Sequence, residues 1–461
     1  MIAPRPSIDL ADPPLHTYVR TSCAAADKPS SIDSGGRRRR RQADRSTMSR
    51  LRRFVNLLVE SSGGLYSLRR IDLSRHPLFY PTPAAAAAAG PRDLRVQREE
   101  EYEFQWPKLN DDDERRRKKK MKRHEAVETL RQLPSIVSMA PSPPTPAGGF
   151  GFDCFPLAES ESKVVFADHA GRAFLYDADG NRFTGMPSLH APKGDSPVAV
   201  SIAAQGEEES KLYVMENTLR PESSGGGGGG SLFQFEVFDH RKPEPTSPPW
   251  EKYWHCDPLP PPPFVFDSGG MVESYAVIGH VIVVSVSDVG TYCFDTASRS
   301  WSRAGEWALP FAGKAEYVPE LKLWFGIAAK GECSPCAADL SPVARGEPPS
   351  PGYIWEDLDL PEEWEPSWGS HLVVLGSGRF CIARFFQLAR TDDNIMNDHV
   401  EDITFPVFTG LEVLPPAPAT ATGDGGGSGD HRKEGLRMIK HKSRRYAELD
   451  DDGIRSVKSV L

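Results

Sequence analysis

The chain has 461 residues, 39% of them hydrophobic, with 40 glycines and 42 prolines, which is enough for a sizeable core and many turns. Its 55 basic and 64 acidic residues leave a net charge of −9, so the chain as a whole is not basic and its mean field says little about partners. Seven scattered cysteines fit reduced, intracellular thiols rather than a disulfide framework. No apolar run approaches the roughly 18 residues of a membrane span, and the first thirty residues carry no signal-peptide core.

Residues 1–47 are polar and aperiodic and contain Arg37, Arg38, Arg39, Arg40 and Arg41. They read as a disordered basic extension, either a regulatory arm or an upstream start ahead of Met48. In residues 48–80, Leu51, Phe54, Val55 and Leu58 share helical spacing, which suits a short basic amphipathic helix. The same residues suit a strand, and the turn-rich GGLYSLRRIDLS that follows favours it. Such N-terminal strands are expected to complete the last sheet of a ring.

Residues 81–148 read as a low-complexity charged insertion. Ala84–Ala89 is followed by DDDERRRKKKMKR, whose acid-then-base order suits a helix continuing through HEAVETLRQL. Arg115, Arg116, Arg117, Lys118, Lys119 and Lys120 look like a nuclear-localisation cluster, as do Arg37–Arg41; the alternative is a solvated charged loop. Pro141–Pro146 forms a linker.

From residue 149 the chain carries recurring strand units, interrupted by glycine-rich loops at 223–231 and 420–430. The clearest unit is Tyr275–Phe311. Its β-branched run from Val277 to Val286 suits strands buried on both faces, with turns at Gly279-His280, at Ser287–Gly290 and after Asp295. Tyr292, Phe294, Asp295 and, later, Trp301 resemble the kelch repeat, although its diglycine is missing. Phe174, Tyr176, Asp177 and Phe183 repeat that pattern within Lys163–Pro187, and further units start near Val198, Ala315 and His371. The expected fold is all-β: a kelch-like β-propeller of about six blades, with a β-sandwich-like meander as the alternative.

RFVNLLVE, GGLYSLRRIDLSRHPLFYP, LPSI, CFPL, FADHAGRAFLYD and LRMIKHKSRRY together resemble a large family expanded in grasses, catalogued as domain of unknown function 1668. The resemblance spans roughly residues 48–461 and implies a kelch-like propeller of plant intracellular origin. It brings no activity and no catalytic residues.

The sequence offers no catalytic, cofactor-binding or metal-ligating motif. Cys333-Ser-Pro-Cys336 is a lone pair lacking two further ligands, and His255-Cys256 joins it only by an accident of the fold. Gly376-Ser377-Gly378 reads as a hairpin turn, and Asp168-His169 as a turn rather than a catalytic pair. Trp355, Glu362, Glu363, Trp364 and Trp368 form an acidic aromatic stretch, either a rim for a basic peptide or blade tryptophans beside solvated acids. The leading expectation is a non-enzymatic cytoplasmic or nuclear scaffold for a protein partner, with no membrane role. The alternatives are an enzyme with its site in the propeller channel, and nucleic-acid association through the two basic runs.

Overall fold

A computed structural model describes residues 51–61, 64–81, 127–130, 133–141, 151–158, 161–194, 196–203, 210–221, 233–248, 250–266, 269–331, 333–356, 364–367, 369–388, 403–415, 435–446, 449–450, 453–454 and 456–461. The described residues are all-β, with two short 3-10 turns at Pro263–Phe266 and Ser341–Arg345. No helix among them is long and apolar enough to cross a membrane.

Among the described residues the strands trace six antiparallel meanders of four strands, and none of these sheets closes on itself. Sheet I orders Ser456–Val460, Phe54–Glu60, Tyr66–Asp72 and Ser135–Met139. Sheet II is Phe152–Pro156, Lys163–Asp168, Ala173–Asp177 and Arg182–Gly185. Sheet III is Val198–Ile202, Lys211–Met215, Phe235–Arg241 and Tyr253–Pro258. Sheet IV is Gly270–Ile278, Val281–Val286, Gly290–Asp295 and Ser300–Gly305. Sheet V is Phe311–Val318, Leu323–Ala328, Pro335–Asp339 and Ser350–Ile354. Sheet VI is His371–Gly376, Arg379–Leu388, Ile403–Leu414 and Arg437–Tyr446. The first strands of sheets IV and V pair in parallel, Tyr275 opposite Lys314, and so merge the two sheets.

Alternation along each strand explains the packing, because successive side chains point to opposite faces. In Val281–Val286, Ile282, Val284 and Val286 enter a core shared with Phe235 and Val237 of sheet III. Val283 enters a separate core with Phe311 and Trp324 of sheet V. The same holds all the way round. Sheets I and II share Leu58, Leu68, Val164 and Phe166. Sheets II and III share Val165, Leu175, Leu212 and Phe238. Sheets V and VI share Phe325, Ile327, Phe380 and Ile382. Sheets VI and I share Phe385, Phe408, Leu57 and Val457. Each sheet therefore packs on two others, and the sixth packs on the first.

The first and last described strands meet in sheet I. Phe54–Glu60 is a strand rather than a helix, and it pairs with Ser456–Val460 with Leu57 opposite Val460. Asn56 and Leu461 exchange both backbone hydrogen bonds, at 3.0 and 2.9 Å.

The repeat seen in the sequence has a physical basis. Phe294 faces Trp301 across its strand pair as Tyr176 faces Phe183. Asp295 accepts hydrogen bonds from the Ala297 and Ser298 amides, and Asp177 from those of Asp179 and Gly180. Trp301 packs on Phe235 of the neighbouring sheet and donates to the Pro260 carbonyl at 2.9 Å. Ser377 and Gly378, with φ of 54° and 69°, form the expected two-residue hairpin turn.

Unit boundaries differ from the sequence reading. The central unit begins at Gly270, and Phe311 opens the next sheet. Residues 81–148, read as an insertion, hold two strands. Ser135–Met139 is the outer strand of sheet I, and Glu128–Leu130 pairs in parallel with Arg444–Tyr446 instead of extending a helix. Burial of Leu130 and Leu133, and ion pairs from Glu128 to Lys442 and Arg444, override the helical charge order.

Two stability outcomes follow. Phe294→Ala empties a fully buried aromatic site and is expected to cost about 3–5 kcal/mol in urea unfolding. His371, edge-on to Phe385 at 5.9 Å, has its pKa pushed down to about 4 by burial. Protonation thus favours the unfolded chain, where histidine titrates near 6.5, so stability is full above that pH and falls as pH drops toward 4. Between pH 7 and pH 5 the loss from this group is about 2 kcal/mol, and His371→Gln should remove that part of the slope in the urea midpoint.

Candidate functional site

The residues singled out in the sequence do not form one surface. Trp355 is half-buried, stacked on Tyr353 at 5.6 Å and parallel to Phe325. Trp364 is only 4% exposed and sits between Phe386 and Phe405 in a different core. Burial makes Trp364 a packing residue rather than a rim anchor. Glu362, Glu363 and Trp368 lie outside the described residues, as do Arg37–Arg41 and Arg115–Lys120.

The cysteine pair is also split. Cys336 is buried in the core between sheets IV and V, with its thiol pushed up to about 12 by burial. Cys333 packs against the core between sheets V and VI. Asp168 accepts from the Ala170 and Arg172 amides at 2.9 Å, which is turn chemistry.

Two groups emerge that the sequence did not mark. The first surrounds Glu236, which is fully buried on the third strand of sheet III. Its partner Cys256 packs against the core shared with sheet II. Glu236 Oε1 pairs with Lys193, whose ammonium is nearly fully buried and also donates to the Ala191 and Phe233 carbonyls. Its Oε2 lies 2.5 Å from His190 Nδ1 and accepts from Cys256 Sγ at 3.1 Å. The His190 amide donates to both oxygens, at 3.1 and 3.0 Å.

Three chain segments supply this cluster: the linker from sheet II to sheet III, and the last two strands of sheet III. Burial disfavours the Glu236 charge, but Lys193 and His190 outweigh it and hold the carboxyl below its usual range. Burial, and then the Glu236 charge, push the Cys256 thiol up, so it is an S–H donor here. His190, Glu236 and Cys256 are the group of described residues with donor atoms close enough for one metal ion, all within 4.8 Å of one another. His255, the other residue of the sequence dipeptide, is not part of it.

The second group lies on the first strands of sheets IV and V. Lys314 and Glu316 form an ion pair, and Lys314 stands opposite Tyr275 in the parallel ladder. Burial disfavours both charges, yet each holds the other ionised: Lys314 is raised and Glu316 lowered. The Tyr275 hydroxyl, raised by burial, bonds to the backbone of Ala199 on sheet III.

Breaking the first group is expected to be costly. Glu236→Gln leaves the Lys193 ammonium buried without its counter-charge and should destabilise by about 3–5 kcal/mol in urea unfolding. Adding Lys193→Met should recover part of that loss.

No curated protein matches the chain. A family model described as "Protein of unknown function (DUF1668)" matches residues 52–446, from the first strand through the last strand of sheet VI. The chain is a member of that family.

Proposed function

We propose that the chain is a six-bladed, kelch-like β-propeller that acts as a non-enzymatic scaffold for a protein partner in the cytoplasm or nucleus of a plant cell. The observation that carries this reading is the cyclic series of six inter-sheet cores, with the first and last described strands paired in sheet I. The aromatic-x-aromatic-Asp strand with its facing aromatic, repeated in sheets II and IV, supports the kelch-like character. All six described cysteines are free thiols, which supports a reducing compartment.

Partner binding draws on the hairpin that ends sheet III. Trp250 is 85% exposed and Tyr253 is 57% exposed, an uncommon display for residues that so often anchor interfaces. Each offers a large rigid apolar face to an incoming chain. These two replace the Trp355–Trp368 stretch as the first anchors to change.

Proximity labelling in plant cells should return a reproducible partner set with wild-type protein. A Trp250→Ala/Tyr253→Ala variant of unchanged melting temperature should lose most of that set, and Trp355→Ala should not. Equal labelling by all three proteins would reject these anchors.

A second reading, a small ligand or substrate in the propeller channel, is favoured by Tyr275, Lys314 and Glu316 on adjacent first strands. It calls for ligand-induced thermal stabilisation that Lys314→Met abolishes. Nucleic-acid association rests on Arg37–Arg41 and Arg115–Lys120 in the sequence alone.

A further inference from the structure

We propose that His190, Glu236 and Cys256 bind a zinc ion that clamps the linker between sheets II and III onto sheet III. The geometry converges on one oxygen. Glu236 Oε2 is 2.5 Å from His190 Nδ1 and 3.1 Å from Cys256 Sγ. Tetrahedral zinc bonds of about 2.0–2.3 Å place neighbouring donor atoms roughly 3.3–3.8 Å apart. The Glu236–His190 and Glu236–Cys256 contacts open to that spacing with shifts of about an ångström or less, and all three donor atoms already lie within 4.8 Å of one another.

The donor set selects the ion. One imidazole nitrogen, one carboxylate oxygen and one thiolate sulfur suit zinc and disfavour magnesium or calcium, which take oxygen ligands. Binding replaces the Cys256 thiol proton, which leaves to solvent, and uses the Nδ1 lone pair of the His190 tautomer that carries its proton on Nε2. The His190 side chain is 40% exposed, so the site lies close to solvent, from which a fourth ligand can come. Three protein ligands and one open position form a site that can also take a ligand atom from outside.

Lys193 completes the arrangement. It holds Glu236 Oε1 and is itself fixed by the Ala191 and Phe233 carbonyls. That leaves Oε2 turned toward the histidine and the cysteine, accepting from the His190 amide and Cys256 Sγ. Ligating carboxylates are commonly fixed this way by a second hydrogen-bonding partner. The ammonium also opposes the charge of the metal, so affinity should rise when it is neutralised. A purely structural hydrogen-bond lock has no such response, and this separates the two roles.

The full-length protein, stripped with a chelator and kept reduced, can be titrated with cobalt(II) and then zinc. One equivalent of cobalt should give a thiolate-to-cobalt charge-transfer band in the near ultraviolet, and zinc should displace it. Zinc should also raise the melting temperature. His190→Ala changes a half-exposed side chain and should preserve the fold while weakening zinc binding by at least about tenfold. Cys256→Ser should abolish the band, whereas Cys333→Ser should leave it. Lys193→Gln should tighten binding severalfold. A band that survives Cys256→Ser, or zinc affinity unchanged by both His190→Ala and Lys193→Gln, would overturn the assignment. So would the absence of any stoichiometric band in wild-type protein.

Discussion

Each of the six four-stranded sheets among the described residues feeds two apolar cores, and that constraint governs the rest. A two-faced apolar sheet of four strands cannot face water, so it needs a neighbour on each side. Val283 and Ile282 are adjacent in sequence and lie in different cores. A row of such sheets would leave an uncovered face at each end. Packing the sixth sheet on the first removes both exposed faces together. The chain completes this by lending its last strand, Ser456–Val460, to a sheet otherwise built from its N-terminal part.

The apolar rule is broken at the joint between sheets II and III. There a buried glutamate and a buried lysine sit beside a core of valines, leucines and phenylalanines. A buried ion pair is weak evidence for stability, since well-packed apolar residues do as well. Its presence is better understood through what else it orients: a carboxylate oxygen aimed at an imidazole and a thiol. The Lys314–Glu316 pair is a second departure, on the first strand of sheet V, where alternate side chains leave the cores.

Much of the architecture was legible because it is local. The β-branched run from Val277 to Val286 and the repeated aromatic-x-aromatic-Asp strands depend on periodicity and turn chemistry within about forty residues. Glu128–Leu130 and Ser135–Met139 were not legible. They are short strands without a periodic signal, and Glu128 meets Arg444 across 316 residues of sequence. The Glu236 cluster escaped for the same reason. His190 is 46 residues from Glu236 and Cys256 is 20, so neither spacing resembles a metal motif. Trp364 had two readings, rim and core, that only its neighbours Phe386 and Phe405 could separate.

Closure through sheet I is the central claim, and hydrogen exchange of the intact chain tests it most directly. Peptides covering 54–60 and 456–461 should exchange as slowly as the buried strand 281–286, since Asn56 and Leu461 bond each other through both backbones. Deleting 456–461 should make 54–60 exchange much faster. Rapid exchange of 456–461 in the intact chain, with 54–60 still protected, would contradict closure.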